Sequence, residues 1–221
     1  MADLETLAAK ARGMGWASGS CDAESVRKQA ALLGWVEVAP RRGDPTVSVL
    51  RPAAASNANP NSLSAVYGLG QQPLHTDGAH MQEPLDVLVL ISTRPSATPT
   101  RLWPPNVPAR QTRPPSTTTA LSHGMFLVRN GHDSFYAPAL SGSRYRYRYD
   151  PGCMTPCDAR AREVQEYFEH QLSRAFVHEW SAAGQVLVVD NRRALHARSA
   201  VADGDLEREL TRIAFRTGPA R

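Results

Sequence analysis

Three side chains of this 221-residue sequence have types and spacings suited to holding a metal ion: His75, Asp77 and His196. His75-Thr76-Asp77 follows a strand-prone segment, and residues two apart on a strand point to the same face, about 6.5 Å apart along the chain. An imidazole and a carboxylate so placed can converge on one ion. A His-x-Asp pair arises easily by chance, so it needs a third donor. His196 supplies one, just after the apolar run QVLVVD at 185–190 and the polar turn Asn191-Arg192-Arg193. Two imidazoles and one carboxylate on one face of an octahedral ion leave three positions for other ligands, which suits non-haem iron(II) and oxygen. The triad alone leaves zinc open, with three ligands and a water. His80 is near enough to support the centre, while His123, His132, His170 and His178 read as structural or exposed.

Longer stretches surround these residues: YGLGQQPLHTDGAH at 67–80, VLVVDNRRALHARSAVADGD at 186–205, and R-x-L-x-R from Arg208 to Arg212. Together with an apolar strand at 86–92 they resemble the 2-oxoglutarate-dependent dioxygenases of the taurine dioxygenase and clavaminate synthase type, over about residues 62–216. The resemblance implies a single domain over 1–221 with a distorted double-stranded β-helix (jelly-roll, cupin-like) core. It also implies Fe(II) on His75, Asp77 and His196, with 2-oxoglutarate and O2 as cosubstrates. Arg208, twelve residues after His196, would hold the distal carboxylate of 2-oxoglutarate. A guanidinium fork suits that task because it makes two parallel charge-assisted bonds. Arg212 lies on the same face of a strand as Arg208 and would face the substrate or cosubstrate. Tyr67, at the head of the first stretch, would also contact the substrate. A hydroxyl residue ahead of a tryptophan contacts 2-oxoglutarate in that family. Here the run is Pro99-Thr100-Arg101-Leu102-Trp103, so Thr100 and Arg101 both stand as cosubstrate contacts. The implied reaction is hydroxylation of a small molecule, such as an amino acid or biosynthetic intermediate, with release of succinate and CO2. Asp77 argues against halogenation, which needs that carboxylate absent.

These residues require elements to position them. Residues 2–12 and 22–33 read as helices, the second capped by Asp22, and make 1–33 a helical N-terminal flank. Strand signals follow at 34–38, 46–50, 63–67, 73–77 and 86–92. From Arg94 to Thr118 come Pro95, Pro99, Pro104, Pro105, Pro108, Pro114 and Pro115, which exclude a helix or a central strand and suggest a loop beside the site. Asn130-Gly131 marks a hairpin between MFLVRN and DSFYAPAL. RYRYRYD at 144–150 alternates, with tyrosines turned inward and Arg144, Arg146 and Arg148 solvated. Residues 158–175 form the clearest helix, capped by Asp158. Strands at 185–190 and 208–216 close a mainly β fold with flanking helices.

Composition narrows the function classes. Hydrophobic residues make up 42% and charged residues 21%, ordinary values for a folded domain. The start lacks a basic flank followed by an apolar run, and nothing later approaches the roughly 18 apolar residues of a membrane span. With three cysteines, an odd number, this points to a cytoplasmic protein with reduced thiols and no membrane partner. The net charge of +4 rests on arginine, since Lys10 and Lys28 are the only lysines. No RRM, KH, helix-turn-helix, phosphate-loop or dinucleotide signature accompanies it, which argues against nucleic acid and nucleotides. Two alternatives stand beside the oxygenase: a cupin-like metalloprotein that ignores 2-oxoglutarate and has no need of Arg208, and a non-catalytic basic binding protein.

Overall fold

The computed structural model describes residues 3–41, 43–104, 115–131, 133–142 and 146–218. Helix α1 (Leu4–Met14) is capped by the Asp3 carboxylate, which accepts from the Thr6 N–H, and ends at Gly15, whose φ of 96° lets the chain turn back. Strand β1 (Trp16–Ser20) comes next, then α2 (Ala23–Leu32) with Asp22 as its cap. The expected purely helical flank is therefore interrupted. The sequence WASGS has little strand propensity, but its backbone pairs along β12 (Gln185–Asp190), from Trp16 opposite Val189 to Ser20 opposite Gln185. Tertiary pairing decides its conformation.

The fold is mainly antiparallel β with few helices. A six-stranded sheet runs β1-β12-β4-β14-β2, with β3 also on β14, where β2 is Val36–Glu37, β3 Val47–Leu50, β4 Val87–Ser92 and β14 Leu210–Arg216. Facing it is the three-stranded sheet β11-β5-β13, built from β5 (Ser96–Trp103), β11 (Phe176–Trp180) and β13 (Leu195–Arg198). Leu88, Leu90, Leu187, Val189, Leu210 and Ala214 of the large sheet pack there against Leu102 and Trp180 of the small one. The other face of the large sheet, with Val89, Ile91, Val186, Val188, Ile213 and Phe215, buries Leu4, Leu7, Ala11, Val26 and Ala30 of α1 and α2. Strands β4 and β12 are buried on both faces, so they read as continuous apolar runs.

A third core lies beyond the small sheet, where Trp103, Leu195 and Ala197 meet Phe126, Val128, Val164 and Phe168. It is covered by α4 (Pro115–His123), α5 (Ala159–Leu172), the antiparallel pair β8 (Leu140–Ser141) and β9 (Arg146–Tyr147), and the sheet β10-β6-β7, made of β6 (Met125–Asn130), β7 (Asp133–Pro138) and β10 (Met154–Pro156). The β6–β7 hairpin turns at Gly131, whose φ is 61°, as Asn130-Gly131 led us to expect. Asp158 caps α5 by accepting from the Ala161 N–H.

Three expectations are corrected. Residues 63–67 form the short helix α3 (Leu63–Tyr67), opened at Ser62 and closed at Gly68, and not a strand. Segment 73–77 makes only one β-bridge, at His75, since Pro73 has no N–H to offer a ladder. The proline-rich stretch contains β5, a central strand. Pro99 is tolerated because the β11 register breaks between His178 and Trp180, where an N–H is not needed, while its carbonyl still accepts from Ser199 at 3.1 Å. The stretch expected as a loop from Arg94 to Thr118 also ends in the first turn of α4, against the reading that its prolines exclude a helix; its residues 105–114, like Arg144, lie outside the described residues. No described helix is long and apolar enough to cross a membrane.

Candidate metal centre

His75 and His196 meet across that single antiparallel bridge, with the His75 N–H donating to the His196 carbonyl at 2.9 Å and the reverse bond at 3.0 Å. Both imidazoles then project to one side, ring centroids 4.3 Å apart. The Nε2 atom of each lies 3.4 Å from Asp77 Oδ1, and the three donor atoms all fall within 4.8 Å of one another. His75 Nδ1 sits 3.0 Å from the Pro73 carbonyl. A carbonyl only accepts, so Nδ1 carries the proton and Nε2 turns its lone pair to the centre. These donors fit a first-row divalent ion, two neutral nitrogens and one carboxylate oxygen on one face.

Asp77 is held from two directions. The buried Asn191 side chain accepts from the Asp77 N–H at 2.9 Å and donates to the Asp77 carbonyl at 2.9 Å and the Leu85 carbonyl at 2.9 Å. Arg212, from β14 across the interior, donates to Oδ2 through Nε at 2.6 Å, with Nη2 at ion-pair distance, 2.6 Å, from the same oxygen. Oδ1 is left for the imidazoles. Burial opposes ionisation of Asp77, but Arg212 and the two histidines outweigh it and hold the carboxyl well below its ordinary range. Burial also opposes protonation of the imidazoles. At His75 the hydrogen bond and charge of Asp77 win, whereas His196 is lowered by burial and by its neighbour His75.

Leu210 and Arg212 share one face of β14, and Arg208 lies two residues before that strand begins. Arg208 is buried and donates through Nε to the Thr98 carbonyl at 3.3 Å. Among the described residues no carboxylate lies within ion-pair distance of it; burial and nearby Arg198 pull its pKa down to about 10, against the pull of Asp205. A buried guanidinium in this state favours an anionic partner. Thr98, Thr100 and Leu102 share the buried face of β5. Thr100 Oγ1 accepts from the Trp180 indole N–H at 3.0 Å, leaving its own proton to donate elsewhere. Arg101 alternates to the opposite face and donates to Ser199 Oγ at 3.1 Å.

Tyr67 lines a cavity of about 310 Å³ with Gln71, Leu74, Tyr149, Phe168 and Glu169. Leu74 alternates with His75, so this cavity adjoins the back of the segment that carries His75 and Asp77. Two further residues belong to the centre's surroundings. Asn191 was visible in the sequence only as part of a polar turn. Asp150, last residue of the alternating RYRYRYD run, is coupled electrostatically to His75, Asp77 and His80; burial raises its carboxyl, and His75 pulls it back. Its place on the arginine face of that run was the available signal. His80 is half-buried and lowered by burial and by Arg41.

No protein-family profile and no curated protein matches the chain. Its fold is shared by solved structures. Asparagine oxygenase, solved with Fe(II), a hydroxyasparagine and succinate, superposes with a TM-score of 0.64 at 21% identity, covering 80% of this chain and 58% of that one. The non-heme iron oxygenase OrfP, solved with Fe, succinate and a hydroxyarginine, gives 0.59 at 21% identity, covering 81% and 59%. The PvcB protein from Pseudomonas aeruginosa gives 0.65 at 18% identity, covering 95% and 78%. The chain thus spans less than two thirds of the length of the first two.

Proposed function

We propose that this chain is an Fe(II)- and 2-oxoglutarate-dependent oxygenase that hydroxylates a small molecule of amino-acid type, as a single cytoplasmic domain with a double-stranded β-helix core. The observation that carries this reading is the convergence of His75 Nε2, His196 Nε2 and Asp77 Oδ1 within 4.8 Å, beside a buried arginine, in a fold shared with iron oxygenases. The bound iron would activate O2 with 2-oxoglutarate as the electron source, giving succinate, CO2 and an oxidant for a substrate C–H bond.

The chain's own residues do the rest. His75, His196 and Asp77 Oδ1 hold the ion. Arg208 takes the distal carboxylate of 2-oxoglutarate, aided by the Thr100 hydroxyl. Thr100 shares the buried face of β5 with Thr98, whose carbonyl binds Arg208, whereas Arg101 lies on the opposite face, which favours Thr100 of the two. Arg212 keeps Oδ2 away from the ion, and its third nitrogen, Nη1, is buried without a hydrogen bond among the described residues and suits an anionic group of substrate or cosubstrate. Asp150 supplies the negative charge that an ammonium group would seek, and Tyr67 borders the neighbouring cavity.

The test is anaerobic addition of Fe(II) and 2-oxoglutarate, read by the weak visible metal-to-ligand charge-transfer band. The band should form with the unaltered chain and vanish in His196→Ala and Arg208→Ala. Metal binding without a band would favour the cupin-like metalloprotein, and no metal binding would end the enzyme reading.

A further inference from the structure

The segment that leaves Asp77 crosses to β4 without joining a helix or a sheet, and its carbonyls are taken up by arginines. Arg148 Nη1 donates to the Ala79 carbonyl at 2.6 Å and the Met81 carbonyl at 2.5 Å, and its Nη2 donates to the Gln82 carbonyl at 2.7 Å. Arg216 Nη2 reaches the Glu83 carbonyl at 3.1 Å, and Arg192 Nη1 the Pro84 carbonyl at 3.3 Å. Asn191 completes the series at Leu85. Carbonyls at 79, 81, 82, 83, 84 and 85 thus all accept from side chains that belong to three other parts of the chain.

Arg148 is the centre of this clasp. Its guanidinium lies over the Phe135 ring, 5.1 Å from the centroid, and no carboxylate neutralises it within ion-pair distance among the described residues. Arg148 is half-buried, and carbonyl dipoles compensate a partly desolvated cation less than a carboxylate does; partial burial and the positive charge of Arg192 pull Arg148 down to about 10. The sequence expectation of solvated strand arginines is therefore wrong at Arg148. Its three bonds all go to one stretch of backbone that begins two residues past Asp77.

We infer that Arg148 is a positioning residue for the metal centre, fixing the backbone of residues 79–82 so that Asp77 is presented at a set distance from the two imidazoles. Only a planar fork with separate Nη1 and Nη2 donors spans three carbonyls in this way, so lysine is a poor replacement. Arg148 touches no donor atom and acts through the loop. The inference rests on the metal reading proposed above.

The experiment is Co(II) titration of the full chain, followed by its visible absorption, alongside amide hydrogen exchange, for the unaltered protein, Arg148→Met and Arg148→Lys. Arg148→Met should weaken Co(II) binding about 10- to 100-fold, the range typical for residues that orient metal ligands. It should also speed exchange at residues 79–83 while leaving β12 protected, and Arg148→Lys should fall between. Should Arg148→Met not fold, Arg148→Lys carries the comparison by itself. Co(II) binding within twofold of the unaltered chain, despite faster loop exchange, overturns the inference, as does unchanged loop exchange. Absence of Co(II) binding by the unaltered chain overturns the metal reading itself, so the two failures are told apart.

Discussion

The side-chain amide of Asn191 pairs with the backbone of Asp77 as a neighbouring strand would, accepting from its N–H and donating to its carbonyl, both at 2.9 Å, across 114 positions of sequence. Asn191 is fully buried, so removing it leaves three backbone groups unpaired, counting the Leu85 carbonyl. Each costs on the order of 1–3 kcal/mol when buried. Asn191→Ala should therefore lower the unfolding free energy by about 3 kcal/mol, measured by urea denaturation, and weaken metal binding as well. A loss below about 1 kcal/mol would show that water replaces the amide.

Arg212 separates two accounts of one residue. If its role is to hold Asp77 Oδ2, Arg212→Gln should weaken Fe(II) binding by tenfold or more in the absence of substrate, since a buried carboxylate loses its cation. If its role is confined to an anionic group of the substrate, Fe(II) affinity should stay level and only KM should rise. The Nε bond and the Nη2 ion-pair contact, both at 2.6 Å, favour the first outcome, and isothermal titration with Fe(II) under nitrogen decides.

What could be read in advance follows from how local each signal was. His75, Asp77 and His196 announce themselves because ligand chemistry restricts residue type and strand geometry restricts spacing. Buried β4 and β12, and the Asp-capped helices α2 and α5, are written in contiguous residues. Strand β1 was hidden because Gly19 and Ser20 carry no strand preference and only β12 makes them one. Strand β5 was hidden because Pro99 is acceptable only where a bulge spares its missing N–H, a fact about β11. Arg212 on Asp77 and Arg148 on residues 79–82 are long-range pairings, and no local pattern distinguishes such an arginine from an exposed one.

Thr100 carries both structure and chemistry. Its hydroxyl accepts from the Trp180 indole N–H at 3.0 Å inside the interface between the two facing sheets. Thr100→Val keeps the shape and strands that donor, which should cost about 1–2 kcal/mol. Thr100→Ser keeps the bond and should cost less. If the hydroxyl also donates to 2-oxoglutarate, Thr100→Val should raise the 2-oxoglutarate KM severalfold while Arg101→Ala leaves it within twofold. Equal effects of the two substitutions would put the cosubstrate elsewhere.

Asp190, at the end of β12, should make stability depend on pH in a window set by its environment. Burial raises its carboxyl from the ordinary 3.8 to about 6, against the pull of the Arg192 N–H and of Arg193. The folded chain thus holds this proton more tightly than the unfolded one. Its contribution is complete below about pH 4 and is lost as pH rises through 6, a change on the order of 3 kcal/mol. Asn can keep the bond that Asp190 Oδ1 accepts from the Arg192 N–H at 3.2 Å but does not ionise. Asp190→Asn should therefore match the unaltered chain near pH 4 and exceed it in denaturation midpoint at pH 7.5. Parallel profiles for the two proteins between pH 4 and 7.5 would show that Asp190 titrates in the folded chain as it does in water.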